Sequence, residues 1–176
     1  MALLLLVLAA RICFAQGTEA AECPAETAHV IRSALLHGLS GVTLEEIPER
    51  FDSRFPALLD FALLPEDGVI YVRNFVDDPG CLVDATVLPP PGTFSFRLVT
   101  DSEIERRADE KGSAFHFVRV WSVLVDPQRA LVGVHATLRS PSTGSRTTIC
   151  CCGGRMRLRM QADIWVFEEW QDVFCA

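Results

Sequence analysis

The chain has 176 residues, 49% of them hydrophobic, and a formal charge of −7. So apolar a chain can build a packed interior, which argues against intrinsic disorder. Its acidity argues against non-specific nucleic-acid binding, which needs cationic side chains to displace phosphate counterions.

The first element is a leader. Residues 2–10 are uniformly apolar or alanine, Arg11 ends the run, and Cys13 and Ala15 are small residues ahead of a polar stretch from Gln16. This pattern predicts a signal peptide over residues 1–15, cleaved after Ala15. The run is too short for a membrane anchor, which needs about 20 apolar residues. No stable membrane insertion is therefore expected once the leader is gone. Cleavage removes Arg11, which takes the charge from −7 to −8, and it removes Cys13, one of seven cysteines. Cys23, Cys81, Cys150, Cys151, Cys152 and Cys175 remain. An even number in an exported chain predicts disulfides formed in a secreted or periplasmic setting. Residues 16–176, about 160 in all, suit a single domain.

Pro24 sits where a helix accepts proline, and Ala25–His37 carries Val30, Ile31, Ala34 and Leu35 on one side, with Gly38 as its stop. Thr43-Leu-Glu-Glu46 has capping-box spacing, and Phe51, Phe55, Leu58, Leu59 and Leu63 recur helically, interrupted by Pro48 and Pro56. Two short helical pieces are expected there. After Gly68 the period changes to two. Strands are predicted over Val69–Val76, Cys81–Leu88 and Phe94–Val99, then a polar helix over Asp101–Lys111 with Ser102 as cap and Gly112 as stop. Ala114–Val125, Ala130–Arg139, Arg146–Gln161 and Ile164–Cys175 read as long strands. Helices first and antiparallel strands after predict an α+β fold, with N-terminal helices packed on one face of a curved, mostly antiparallel meander sheet. This outline resembles cystatin-like and NTF2-like rolls, a likeness of architecture that implies no function.

The last hairpin is legible in register. A two-residue turn at Ala162-Asp163 sets Gln161 opposite Ile164; Met160 then faces Trp165 and Leu158 faces Phe167, both pairs on one apolar side. The other side then pairs Arg157 with Glu168 and Arg155 with Trp170. Constant register sets Cys150 opposite Cys175, while Gly153-Gly154 is a place for a bulge that would change that pairing. A bond from Cys175 to one of Cys150–Cys152 is expected, with Cys150 first, and Cys23 or Cys81 tied to the same tract.

Candidate chemistry is sparse. Alternating thiolates at Cys150 and Cys152 could ligate a metal, but further Cys or His ligands at finger-like spacing are missing. The spacing of a redox dithiol is missing too. His116 and His135 lie on predicted strands and are pocket candidates for acid–base work. Glu168 and Glu169 fall on opposite faces of a regular strand, which keeps them from acting together. Phe94, Phe96, Phe115, Phe117, Trp121, Trp165 and Phe167 read mainly as core. No nucleophile elbow and no phosphate-cradling loop occur. The sequence predicts no cofactor and leaves the ligand and oligomeric state open. It points to a non-enzymatic binding or structural module. The alternatives are a small-molecule-binding or catalytic roll with a cavity between helices and sheet, and a thiolate metal site.

Overall fold

A computed structural model describes residues 20–36, 68–91, 95–142 and 152–175. In chain order these form helix α1 (Ala25–Leu35), strands β1 (Val69–Arg73), β2 (Phe75–Val76) and β3 (Cys81–Leu82), a 3-10 turn (Ala85–Val87), strand β4 (Ser95–Val99), helix α2 (Asp101–Lys111) and strands β5 (Phe115–Val125), β6 (Arg129–Arg139), β7 (Cys152–Gln161) and β8 (Ile164–Cys175). The leader, the capping box at Thr43, the helical pieces around Phe51–Leu63, Phe94, Cys150 and Cys151 lie outside the described residues.

The fold is α+β around a six-stranded sheet of order β4-β1-β5-β6-β7-β8. From β5 to β8 consecutive strands pair antiparallel, as expected. The other half is parallel: β1 pairs in parallel with both β4 and β5. The chain leaves β4 at the edge, crosses through α2 and returns beyond β1 as β5, the crossover that parallel strands require. The described sheet is open, with β4 and β8 as its edges.

The two described helices lie on opposite faces of this sheet. Thr27, Val30, Ile31, Ala34 and Leu35 form the buried stripe of α1, at the spacing of one helical face. That stripe meets Val118, Val120, Val132, Val134, Met156, Leu158 and Trp165. Ile104 and Ala108 of α2 instead meet Tyr71, Val99 and Phe115. Phe115 and Val118 differ by an odd number of residues along a regular stretch of β5, so the pleat turns them to opposite sides. Burying a side chain such as Ile31 or Leu35, both fully enclosed, contributes about 1.5–3 kcal/mol.

Local chemistry explains where the elements stop. The strand expected over Val69–Val76 breaks at Asn74, whose N–H donates to Val99 O at 2.9 Å while its carbonyl accepts from Val83 N at 2.9 Å. The strand expected from Cys81 ends after Leu82 because Asp84 caps a 3-10 turn, its side chain accepting from Thr86 N. Helix α2 has its expected span, but Thr100, not Ser102, caps it, accepting from Glu103 N at 3.1 Å. Gly112 closes α2 at φ 63°, the left-handed C-terminal position that glycine fills without strain.

The β7–β8 hairpin turns through Ala162 and Asp163, both at positive φ. Its first pairs, Gln161 with Ile164, Met160 with Trp165 and Leu158 with Phe167, are those expected. Two register shifts follow, one between Arg157 and Leu158 and one between Gly153 and Arg155, at the expected glycine pair, and in both the extra residue lies on β8. The first moves Arg157 from Glu168 to Glu169. The second sets Cys152, not Cys150, opposite Cys175. Asp172, at φ 50°, lies in the second irregular stretch.

Cys23 and Cys81 are bonded to each other, and neither joins the Cys150–Cys152 tract. The bond is reinforced by a short parallel pairing, with Cys23 N donating to Leu82 O and Leu82 N donating to Ala21 O, both at 2.8 Å. Among the described residues no helix is long and apolar enough to cross a membrane.

Candidate functional site

Charged groups gather on the sheet face that carries α2. Arg73 ends β1 on that face, Arg119 lies on β5, and His135 is the Cα partner of Arg119 on β6. The turn after β2 brings a carboxylate to them. Asp78 N donates to Trp121 O at 3.2 Å and Val123 N donates to Asp78 O at 3.0 Å, which fastens this turn along β5. The neighbouring Asp77 then accepts from Arg73 Nη1 at 2.8 Å through one oxygen and from Arg119 Nε at 2.6 Å through the other.

Arg73 also forks onto Asp101 at the start of α2, with Nε to Oδ1 at 2.6 Å and Nη2 to Oδ2 at 2.8 Å. This two-point geometry is the strong form of a guanidinium–carboxylate pair. The Arg73 side chain is 15% exposed and that of Asp101 64%, so the fork joins a largely covered guanidinium to a solvent-facing carboxylate. Hydrogen bonding to Asp101, and then to Asp77, holds the Arg73 guanidinium well above its already high value. Burial by itself would raise the Asp77 carboxyl, but the hydrogen bonds from Arg119 and Arg73 outweigh it and the net shift is downward. Asp101 is likewise held low, first by its hydrogen bonds from Arg73. These are permanent charges at any ordinary pH.

A second guanidinium seats α2. Arg107 donates through Nε and Nη2 to Glu103 Oε1 at 3.0 and 2.8 Å, and lies 4.8 Å from the ring centre of Tyr71 and 5.7 Å from that of Phe115. Between the helix so placed and the sheet opens a cleft of about 320 Å³, lined by Arg73, Asp101, Ile104, Glu105, Phe117, Arg119, Thr137 and Arg139. Arg139 Nη2 donates to Glu105 Oε1 at 2.9 Å across its rim. Another cleft of similar size adjoins the disulfide, with Glu22, Cys23, Ala28, Leu82 and Asp84 among its walls.

The same sheet face continues as an aromatic shelf. Trp121 occupies the β5 irregularity between Val120 and Ser122 and lies across Gly133 of β6. The Arg155 guanidinium sits 4.9 Å above its ring, and Arg155 Nη1 donates to Asp172 Oδ2 at 3.1 Å. Arg155 thus stacks on Trp121, not on Trp170 as constant register predicts. The indole Nε1 is buried with no acceptor among the described residues. A Cβ at Gly133 would stand 2.6 Å from Trp121 Cζ2 and 2.7 Å from Ser122 Oγ. Gly133→Ala is therefore expected to destabilise the fold by about 1–3 kcal/mol through overpacking. Urea unfolding measures this, and near-UV circular dichroism should show the displaced indole; an unchanged spectrum would mean that the ring does not rest on Gly133.

The two candidate histidines are not brought together. His116 shares a face with Val118, toward α1, whereas His135 shares one with Arg119, on the α2 side. Burial pushes the His135 imidazole below its ordinary value, Arg119 pushes the same way, and Asp77 opposes them. The β8 carboxylates also differ from expectation. Glu169 pairs with Arg157 at 2.7 Å and Glu168 with Arg159 at 3.3 Å. Both arginines are on one face of β7, so the extra residue at Glu168 turns the two carboxylates to the same side. Among the described residues no group of three or more His, Cys, Asp or Glu side chains is placed to hold a metal.

Arg73, Asp77, Asp101, Arg119 and Arg139 were not legible as a site in the sequence. The available signal was weak: arginines recur at odd positions of successive strands, on the side away from the aliphatic stripe. No protein-family model, no curated protein and no solved structure matches this chain.

Proposed function

We propose that this chain is an exported, non-enzymatic binding module whose contact surface is the sheet face carrying α2. One observation carries the reading: Asp77 is shared by Arg73 and Arg119 at 2.8 and 2.6 Å, which fixes a buttressed set of charges beside an open cleft. General acid–base catalysis works best with a group whose pKa lies near the working pH. Here Asp77 and Asp101 are held below the ordinary carboxylate range and Arg73 above the ordinary guanidinium range. Such groups recognise charge and do not shuttle protons. The space between α1 and the sheet is filled by apolar side chains, which disfavours the alternative of a roll with a catalytic cavity there.

Export is part of the same reading. The Cys23–Cys81 bond supports it, and the β7–β8 register favours Cys152 as the partner of Cys175. The test uses the oxidised mature chain and a panel of small charged and zwitterionic fragments, followed by amide and arginine Nε chemical shifts. Shifts are expected to cluster at Arg119, Thr137, Arg139 and α2, with every fragment recovered unchanged by mass spectrometry. Turnover of a fragment that Arg119→Gln or His135→Gln abolishes would overturn the reading, as would the absence of any fragment on this face.

A further inference from the structure

We propose that the cleft between α2 and strands β5–β6 takes a small organic carboxylate. The inference rests on the binding reading above and adds the ligand class. Three side chains on the cleft wall keep donors to spare among the described residues. Arg119 commits only Nε, to Asp77. Arg139 commits only Nη2, to Glu105. Thr137 lines the cleft between them, on the same face of β6 as Arg139, and its hydroxyl has no partner among the described residues.

The two acids of the lining do not cancel this. Asp101 is engaged at both oxygens by Arg73, and Glu105 at Oε1 by Arg139. Asp77, Asp101 and Glu105 balance the three arginines in charge, so what stays available in the cleft is the uncommitted N–H donors of Arg119 and Arg139, which a planar carboxylate can accept from. The rest of the lining selects the body of the ligand. Phe117 and Ile104 supply apolar surface next to the donors, and Phe117 is itself braced by Phe115, ring centres 6.4 Å apart and nearly parallel. A volume of about 320 Å³ is at the small end of ligand sites, of order 300–1,000 Å³. It fits a single ring or short chain carrying one carboxylate. A bare mineral oxyanion would leave the apolar wall unused.

Benzoate is the probe, methyl benzoate its uncharged counterpart, and inorganic phosphate the mineral control, each titrated into the oxidised mature chain at low salt. Benzoate is expected to bind saturably, moving the Thr137 amide and the Arg119 Nε signal. Thr137→Val and Arg139→Gln, which leave the Asp77 clamp intact, should each weaken it at least threefold, and together about tenfold. Methyl benzoate should not saturate. Equal binding of methyl benzoate, indifference to both substitutions, or phosphate binding as tightly as benzoate would each overturn the proposal. If benzoate fails while other fragments still map to the α2 face, only the ligand class is lost. If nothing maps there, the binding reading falls as well.

Discussion

Replacing Cys23 and Cys81 together by alanine should lower the free energy of unfolding by about 2–4 kcal/mol, the range for a disulfide closing a long loop. The bonded residues are 58 apart in sequence, so the unfolded chain loses many conformations when they are joined. The bond also acts locally. It holds the segment just before α1 to β3, where Ala21 and Cys23 exchange hydrogen bonds with Leu82, and α1 buries Val30, Ile31, Ala34 and Leu35 in the core on its side of the sheet. Alanine suits the test because Cys81 is 5% exposed, and serine would bury a hydroxyl there. Chemical denaturation of the oxidised chain and the double variant measures the loss, and amide exchange should show α1 opening first in the variant. A difference under about 0.5 kcal/mol would mean that the pairing with Leu82 alone secures the helix, since surface-like changes stay within that range.

Asp77→Ala should cost about 2–3 kcal/mol. Removing one member of a buried ion pair costs about 3–5 kcal/mol because its partner is left uncompensated; the figure is reduced here because Asp77 is 26% exposed and Arg119 39% exposed. Arg119→Gln should cost no more than about 1 kcal/mol, since Asp77 would keep Arg73 and a half-exposed pair contributes little. The acid dependence has a definite sign. The folded Asp77 carboxyl lies below its ordinary value, so its contribution is present above the unfolded value of about 3.9 and is lost as pH falls through the folded one. The gap between native and Asp77→Ala stability should therefore be level from about pH 5 to 8 and shrink below about pH 4. A gap that persists unchanged at about pH 2 would mean that Asp77 acts through packing and not through charge.

How legible the structure was depended on the range of the interaction. Helix α2 was readable to the residue because Gly112 and the polar, periodic stretch before it are local signals. The turn at Ala162-Asp163 and the pairs Met160–Trp165 and Leu158–Phe167 were readable because a two-residue loop dictates register for as long as neither strand gains a residue. The register failed where β8 gained them: near Asp172 this happens opposite the Gly153-Gly154 pair, a local signal for a bulge, whereas no residue type marks the one at Glu168. The Cys23–Cys81 pairing was missed for a similar reason: the two cysteines meet only because the chain before α1 pairs with β3.

Amino-acid order alone determined the apolar periods, the glycine stop of α2 and the tight turn, because each depends on residues a few positions apart and on elementary sterics. It did not determine that β1 would lie between β4 and β5, that the two described helices would take opposite faces, or that Asp77 would sit between Arg73 and Arg119. Those depend on which distant surfaces bury one another, and an aliphatic strand packs equally well against a parallel or an antiparallel neighbour until the crossover helix has found its side of the sheet. The clamp and the cleft beside it are products of that choice. Their charged residues read, one at a time, as ordinary surface until the tertiary fold drew them together.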